Sequence, residues 1–134
     1  MWFRGIAVVC MLIGSNATSW ADGDREAGRD VFAYSAACIA CHAIGCTRDQ
    51  APKLGGIIGR RAGTDPDYDA YSDAMKLSDV VWTEETLDAY IADPAAFIPG
   101  NGMASTTGKL EDETQRRNLI AFLKEPDKSV DLCF

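Results

Sequence analysis

The chain has 134 residues, enough for one domain, with 13 Lys and Arg against 20 Asp and Glu and a single histidine. A net charge of −7 argues against a nucleic-acid binder, because phosphate contacts need a basic face. It points instead to a protein partner with a basic docking patch.

The first segment has the form of a secretory leader. Met1-Trp2-Phe3-Arg4 gives a positive start, residues 5–14 are apolar, and Ser19-Trp20-Ala21 ends a small, polar stretch with a cleavage signal after Ala21. The apolar run is too short for a permanent bilayer span. An uncleaved anchor is the alternative. Export places the chain in the periplasm, and loss of residues 1–21, with Arg4, leaves residues 22–134 at a net charge of −8. Cys10 goes with the leader. The remaining four cysteines, Cys38, Cys41, Cys46 and Cys133, enter a compartment where disulfides persist.

Residues 24–36 are expected to form a helix, capped by Asp22 or Asp24, with Ala27, Val31, Phe32 and Ala36 at helical spacing. Residues 38–52 form a loop and residues 54–59 a Gly-rich apolar stretch. A second loop carries Pro66 and closely spaced aspartates, and a short helix is expected over 72–77. A better helix starts at Thr83, its N-cap, with Glu84 and Glu85 in the first turn. Pro94 ends it, since the residue before a proline avoids helical angles. Residues 95–110 are expected to be an irregular loop, and residues 111–124 a last helix, acidic at its start and basic at its end. Nothing has strand periodicity. The class is all-α: four to five short helices with long loops.

Between Asp65 and Asp93 the chain has nine acids and one base, Lys76. These acids make either a solubilising surface or a docking face. So few helices, with so much loop, would bury a thin core. A large apolar disc at the centre, wrapped by the loops, removes that difficulty.

Cys38-Ile39-Ala40-Cys41-His42 is C-x-x-C-H, the attachment sequence for covalent haem c. Thiols one turn apart reach the two vinyl groups on one porphyrin edge, and the next residue brings its imidazole under the iron. A thioredoxin-like pair would want a βαβ context, which is missing. A zinc site would need Cys46 and Cys133 as further ligands, and a Cys38–Cys41 disulfide would be short and strained. With His42 the only histidine, the second axial ligand must be another residue type. Met75 and Met103 are the methionines left after the leader. Met75 sits in the expected short helix, where packing is its ordinary role. Met103 ends Ile98-Pro99-Gly100-Asn101-Gly102-Met103, whose glycines let the backbone bend over a flat ligand, and is the expected ligand. Imidazole opposite thioether closes the iron to small ligands and leaves it to pass single electrons.

At these motifs the chain resembles the class I c-type cytochromes, the group of bacterial cytochrome c2 and mitochondrial cytochrome c. The likeness runs in order over residues 28–124, through Gly28-Arg29-Asp30-Val31-Phe32, the C-x-x-C-H, Pro52 to Gly63, Tyr71-Ser72-Asp73-Ala74, Trp82, Leu87 to Tyr90, Ile98 to Met103 and Leu119 to Leu123. The resemblance implies a small monohaem cytochrome c fold. Pro52 would accept the second N–H of His42. Gly28 and Phe32 would meet Leu119 and Phe122 where the first helix crosses the last. Arg60, Tyr71 and Trp82 would bind or neutralise the haem propionates. Tyr90 would lie beside the sulfur of Met103, the axial ligand.

The departures concern the partner. Where mitochondrial proteins ring the haem edge with lysines, this chain has Ala37, Ala95, Ala96 and Gly102, and Ser105 stands near an aromatic position. Cys46 and Cys133 are extra. A disulfide between them, pinning the tail to the loop after the haem motif, is the expectation; two free thiols or an intermolecular bridge are the alternatives. The expected function is a soluble, monomeric, periplasmic one-electron carrier, not an enzyme. The alternative is a dedicated electron acceptor or cytochrome subunit of one dehydrogenase of the methanol- or sulfite-oxidising type. A haem protein with an open iron site is a further rival.

Overall fold

The computed structural model describes residues 23–126 and Cys133. The leader, and the tail around Cys133, lie outside the described residues.

Each helix begins at a side chain that satisfies its free N–H groups. Asp24 caps α1 (Arg25–Asp30), accepting from the backbone of Glu26 and Ala27. The expected single helix to residue 36 does not continue as such. After Asp30 the coil widens into a π-helical turn, Val31–Ser35, closed by the Ala36 N–H on the Val31 carbonyl at 2.9 Å. Apolar spacing cannot reveal one extra residue in a last turn, because Val31 and Phe32 are buried either way.

Ser72 caps α2 (Asp73–Leu77) through the Met75 N–H. Thr83 and Thr86 form a reciprocal capping box at the head of α3 (Glu84–Ala92). The loop expected after Pro94 contains a further helix, α4 (Pro94–Phe97), capped by Asp93 on the Ala96 N–H. Proline stops α3 at Asp93, yet at the first position of a new helix its fixed φ and missing N–H cost nothing. The last helix, α5 (Glu113–Lys124), starts two residues later than expected, because Asp112 rather than an earlier residue caps it on Gln115.

α1 crosses α5 at Gly28, where an added Cβ would lie 1.9 Å from the Asn118 carbonyl oxygen. That approach sets Phe32 against Phe122, ring centroids 5.6 Å apart and both fully buried. Burying side chains of this size contributes about 2 kcal/mol each. α3 packs on α5, with Leu87, Tyr90 and Ile91 buried on one side and Leu119, Ile120 and Leu123 on the other. Arg116 reinforces the contact, its Nε 2.7 Å from Asp88 and its Nη1 on the carbonyls of Leu110 and Glu111. The described residues contain no strand, only two isolated bridges. One of them, Arg61 with Val81, joins the stretch around Arg60 to the one before α3.

Candidate functional site

The haem motif follows the π-helical turn directly. Ala37 takes a left-handed conformation (φ 51°), and Cys38–Ala40 then form a single tight turn. The Cys38 carbonyl accepts from Cys41 and His42, which fixes the two cysteines and the histidine on one turn. Both thiols are free and half-buried. Burial pushes the Cys38 thiol up to about 11, with a smaller upward push from Cys41. Arg48, ten residues past Cys38, donates from Nη1 to the Ile39 carbonyl at 2.9 Å and braces this turn from outside.

His42 Nδ1 is 2.7 Å from the Pro52 carbonyl oxygen. A carbonyl only accepts, so Nδ1 carries the proton and Nε2 presents its lone pair. Burial, and secondarily the Arg60 charge, hold His42 below its usual value, against the opposing pull of the Pro52 bond. The ring is therefore neutral, with its orientation set.

Met103 opens a second tight turn, Met103–Ser105. Its carbonyl accepts from the N–H and hydroxyl groups of both Thr106 and Thr107, at 2.9 to 3.1 Å. Just before it, Asn101 is 3% exposed and makes four side-chain hydrogen bonds. Its Nδ2 donates to the Pro94 and Ile98 carbonyls at 2.7 Å, and its Oδ1 accepts from Tyr90 Oη at 3.0 Å and Ala104 N–H at 2.9 Å. Tyr90 thus reaches the Met103 loop through Asn101. Burial drives its phenol well above its usual value. Its ring packs on Trp82 at 4.9 Å, and Trp82 itself is buried. The sequence reading gave this loop's glycines a role and passed over Asn101; a polar residue among Pro, Gly and Met was the available signal.

Arg60 donates to the Lys53 carbonyl at 2.7 Å, one residue past Pro52, and to the Asp65 carboxylate at 3.2 Å. The Asp65 backbone N–H donates to Tyr71 Oη at 3.3 Å. Arg60 and Tyr71 are thus brought together, with Asp65 between them. Trp82 joins them only through the backbone, its N–H donating to the Arg60 carbonyl.

The run of acids, open between a solubilising surface and a docking face, is largely paired with bases. Six of its nine members are in ion pairs with bases outside the run. The pairs are Asp65–Arg60, Asp67–Lys53, Asp79–Arg61, Glu84–Lys124, Asp88–Arg116 and Asp93–Lys109. Asp65 is buried outright, its side chain 0% exposed. Ala37, Ala95, Ala96, Gly102 and Ser105 are all exposed.

Cys46 and Cys133 are joined by a disulfide with Cα atoms 5.9 Å apart. The two further thiols that a zinc site would need are therefore bonded to each other.

These residues fit a covalently held haem. Two thiols and a neutral imidazole with Nε2 free stand on one turn. Cys38, Ile39, Leu54, Ile58, Met75 and Met103 all pack, partly exposed, against one buried cluster that includes Trp82 and Tyr90. An all-helical shell this small, with an apolar cradle and C-x-x-C-H on one wall, defines a c-type haem protein.

The comparisons agree. The family model described as Cytochrome c matches residues 26–126, and the chain belongs to the cytochrome c family. It is 46% identical over 93 residues to cytochrome c-550 of Bradyrhizobium diazoefficiens, covering 68% of this chain and 66% of that protein. It is 43% identical to cytochrome c of Tetrahymena pyriformis, over 77% of this chain and 89% of that one. With cytochrome c2 of Blastochloris viridis it shares 38% identity, over 91% and 93%. Among solved structures, cytochrome cH from Methylobacterium extorquens superposes with a TM-score of 0.69 at 35% identity, covering 76% of this chain and 98% of that one. The chain is a class I c-type cytochrome carrying one covalently bound haem c, an electron carrier that acts with redox partners.

Proposed function

We propose that the chain is a soluble, monomeric, periplasmic carrier of single electrons, exported by residues 1–21 and not itself an enzyme, and that His42 and Met103 would hold the haem iron. Bound haem supplies one iron that alternates between ferric and ferrous by a single electron. Cys38 and Cys41 hold it by thioether bonds. The Pro52 carbonyl keeps His42 in the tautomer that ligates. The bonds on the Met103 carbonyl and the Asn101 side chain keep the thioether in place, so that water and small ligands stay out. Arg60 and Tyr71 stand where haem carboxylates would be received, and Trp82 and Tyr90 wall the cradle.

The observation that carries this reading is the hydrogen bond from His42 to Pro52 in a chain with one histidine. It leaves Nε2 as the one nitrogen that would be available to iron, and any second protein ligand would have to be a different residue type. Among the described residues no helix is long and apolar enough to cross a membrane. The test is Met103→Ala. The variant is expected to keep its covalent haem, to bind cyanide or CO rapidly and to have a lower potential. An unchanged voltammogram and no new ligand binding would remove Met103 from the iron. A mature protein whose sequence starts at Asp22 would support export.

A second reading is a dedicated acceptor or cytochrome subunit of one dehydrogenase, of the methanol- or sulfite-oxidising type. It is favoured by small neutral residues standing exposed at 37, 95, 96 and 102, where a shared carrier would show a charged ring. Reduction by a single enzyme among several offered would support it. The proposed basic patch on the partner predicts that reduction slows steeply with salt.

A further inference from the structure

Asp65 is a buried acid that the proposed electron carriage does not use. Its side chain is 0% exposed, and the Arg60 guanidinium facing it is 15% exposed. Every other ion pair among the described residues has at least one partner at 16% exposure or more. Its Oδ2 takes Arg60, and its Oδ1 accepts the Asp67 N–H at 3.0 Å. Arg60, in turn, lies on the Lys53 carbonyl beside Pro52 and is close enough to His42 for its charge to act on that ring. The ionisable groups around Asp65 are Arg60, Lys53, Asp67, Tyr68 and Tyr71. Lys53 feels the Asp65 charge but has its own ion pair with Asp67 at 2.8 Å. The cation in direct contact with Asp65 is Arg60, in a place shielded from solvent, where charges act over longer distances than at the surface.

We infer that Asp65 is a positioning residue that sets the reduction potential, by holding Arg60 as a neutral pair beside the haem-binding wall. The inference rests on the haem-carrying role proposed above. Ferric iron has one more positive charge than ferrous iron. An uncancelled guanidinium nearby disfavours the ferric state and raises the potential; a cancelled one does not. The family resemblance assigns Arg60 to the haem carboxylates. In this chain Asp65 shares it, and this cytochrome is set lower than Arg60 alone would place it.

The experiment is spectroelectrochemistry on the haem-loaded protein at pH 7 and fixed ionic strength. Asp65→Asn keeps an oxygen for the Asp67 N–H and removes only charge. At a fixed electrode potential it is expected to raise the ferrous-to-ferric ratio at least threefold, about 28 mV for one electron. Asp65→Glu is expected to restore the wild-type ratio. Arg60→Gln, which leaves the carboxylate alone, is expected to lower the ratio. Asp65→Ser, which is uncharged and fits the same space, carries the test if Asp65→Asn does not accumulate: a ratio at least threefold above wild type supports the pair, and the wild-type ratio overturns it. A loaded Asp65→Asn protein with the wild-type midpoint, even one with lowered thermal stability, makes Asp65 structural only. A wild-type chain that carries no covalent haem fails the haem reading instead.

Discussion

Asn101→Ala is the most direct probe of how the fold holds Met103, the ligand proposed above. The substitution deletes four hydrogen bonds and strands the Tyr90 hydroxyl and the Ala104 N–H, while the Pro94 and Ile98 carbonyls keep their backbone partners, the N–H groups of Ile98 and Asn101. A net value near 1 kcal/mol per bond gives about 4 kcal/mol. Water entering the new space would satisfy some of the stranded groups, which brings the figure to about 3 kcal/mol. Because the four bonds join α4, α3 and the turn of Met103, the loss falls on that loop and not on the α1–α5 core. A local opening made easier by about 3 kcal/mol is populated about a hundredfold more often. The assay is cyanide binding to the ferric protein, which, on the proposed ligation by Met103, reads the fraction of iron that this residue leaves open. Apparent affinity is expected to rise about a hundredfold with covalent haem retained. An affinity within a factor of two of wild type would refute the reasoning, and Asn101 would then be a packing residue.

Gly28→Ala forces a Cβ to 1.9 Å from the Asn118 oxygen, a backbone atom that can move only with α5. Overpacking of about 3 kcal/mol outweighs the helix propensity gained, about 1 kcal/mol, so the melting temperature followed by circular dichroism should fall by roughly 10 °C. A variant as stable as wild type would put the crossing elsewhere. Cys133→Ser opens a bridge spanning 87 residues. Chain entropy then predicts a loss of about 4 kcal/mol in denaturant unfolding with an unchanged haem spectrum, and coincident unfolding curves would show that the bridge contributes nothing. Tyr90 has its folded value raised by burial, so the folded state keeps a proton that the unfolded state loses above its ordinary value of about 10. Stability should therefore be intact below that pH and fall as pH rises through it. In an alkaline absorbance titration Tyr90 is expected to ionise only with unfolding; early ionisation of every tyrosine would contradict its burial.

What could be read from the sequence was local. The haem motif is five consecutive residues whose spacing carries the chemistry. Thr83 caps its helix through the N–H of Thr86, three residues away. Non-local features were hidden. Asp65 looks like any member of a run of aspartates, and its burial depends on how two loops meet at Arg60. The run as a whole suggests an acidic face, whereas Lys109, Arg116 and Lys124 return from the C-terminal third to neutralise parts of it. Pro94 signals the helix it stops, while the one it starts leaves no sequence mark. The residues of α4 are too few to show a period.

The π-helical turn acts as a length standard. Phe32 is fixed against α5, and Cys38 must come out of the next turn with its thiol on the cradle side. Deleting one residue of the π-helical turn would restore α geometry but swing everything after it by about 100° around the helix axis and draw it back about 1.5 Å. The aromatic anchor and the haem motif could then not both be in place. Substitution within Ala33-Tyr34-Ser35 is therefore far safer than any change in its length, since Tyr34 and Ser35 face solvent and contribute spacing more than contacts.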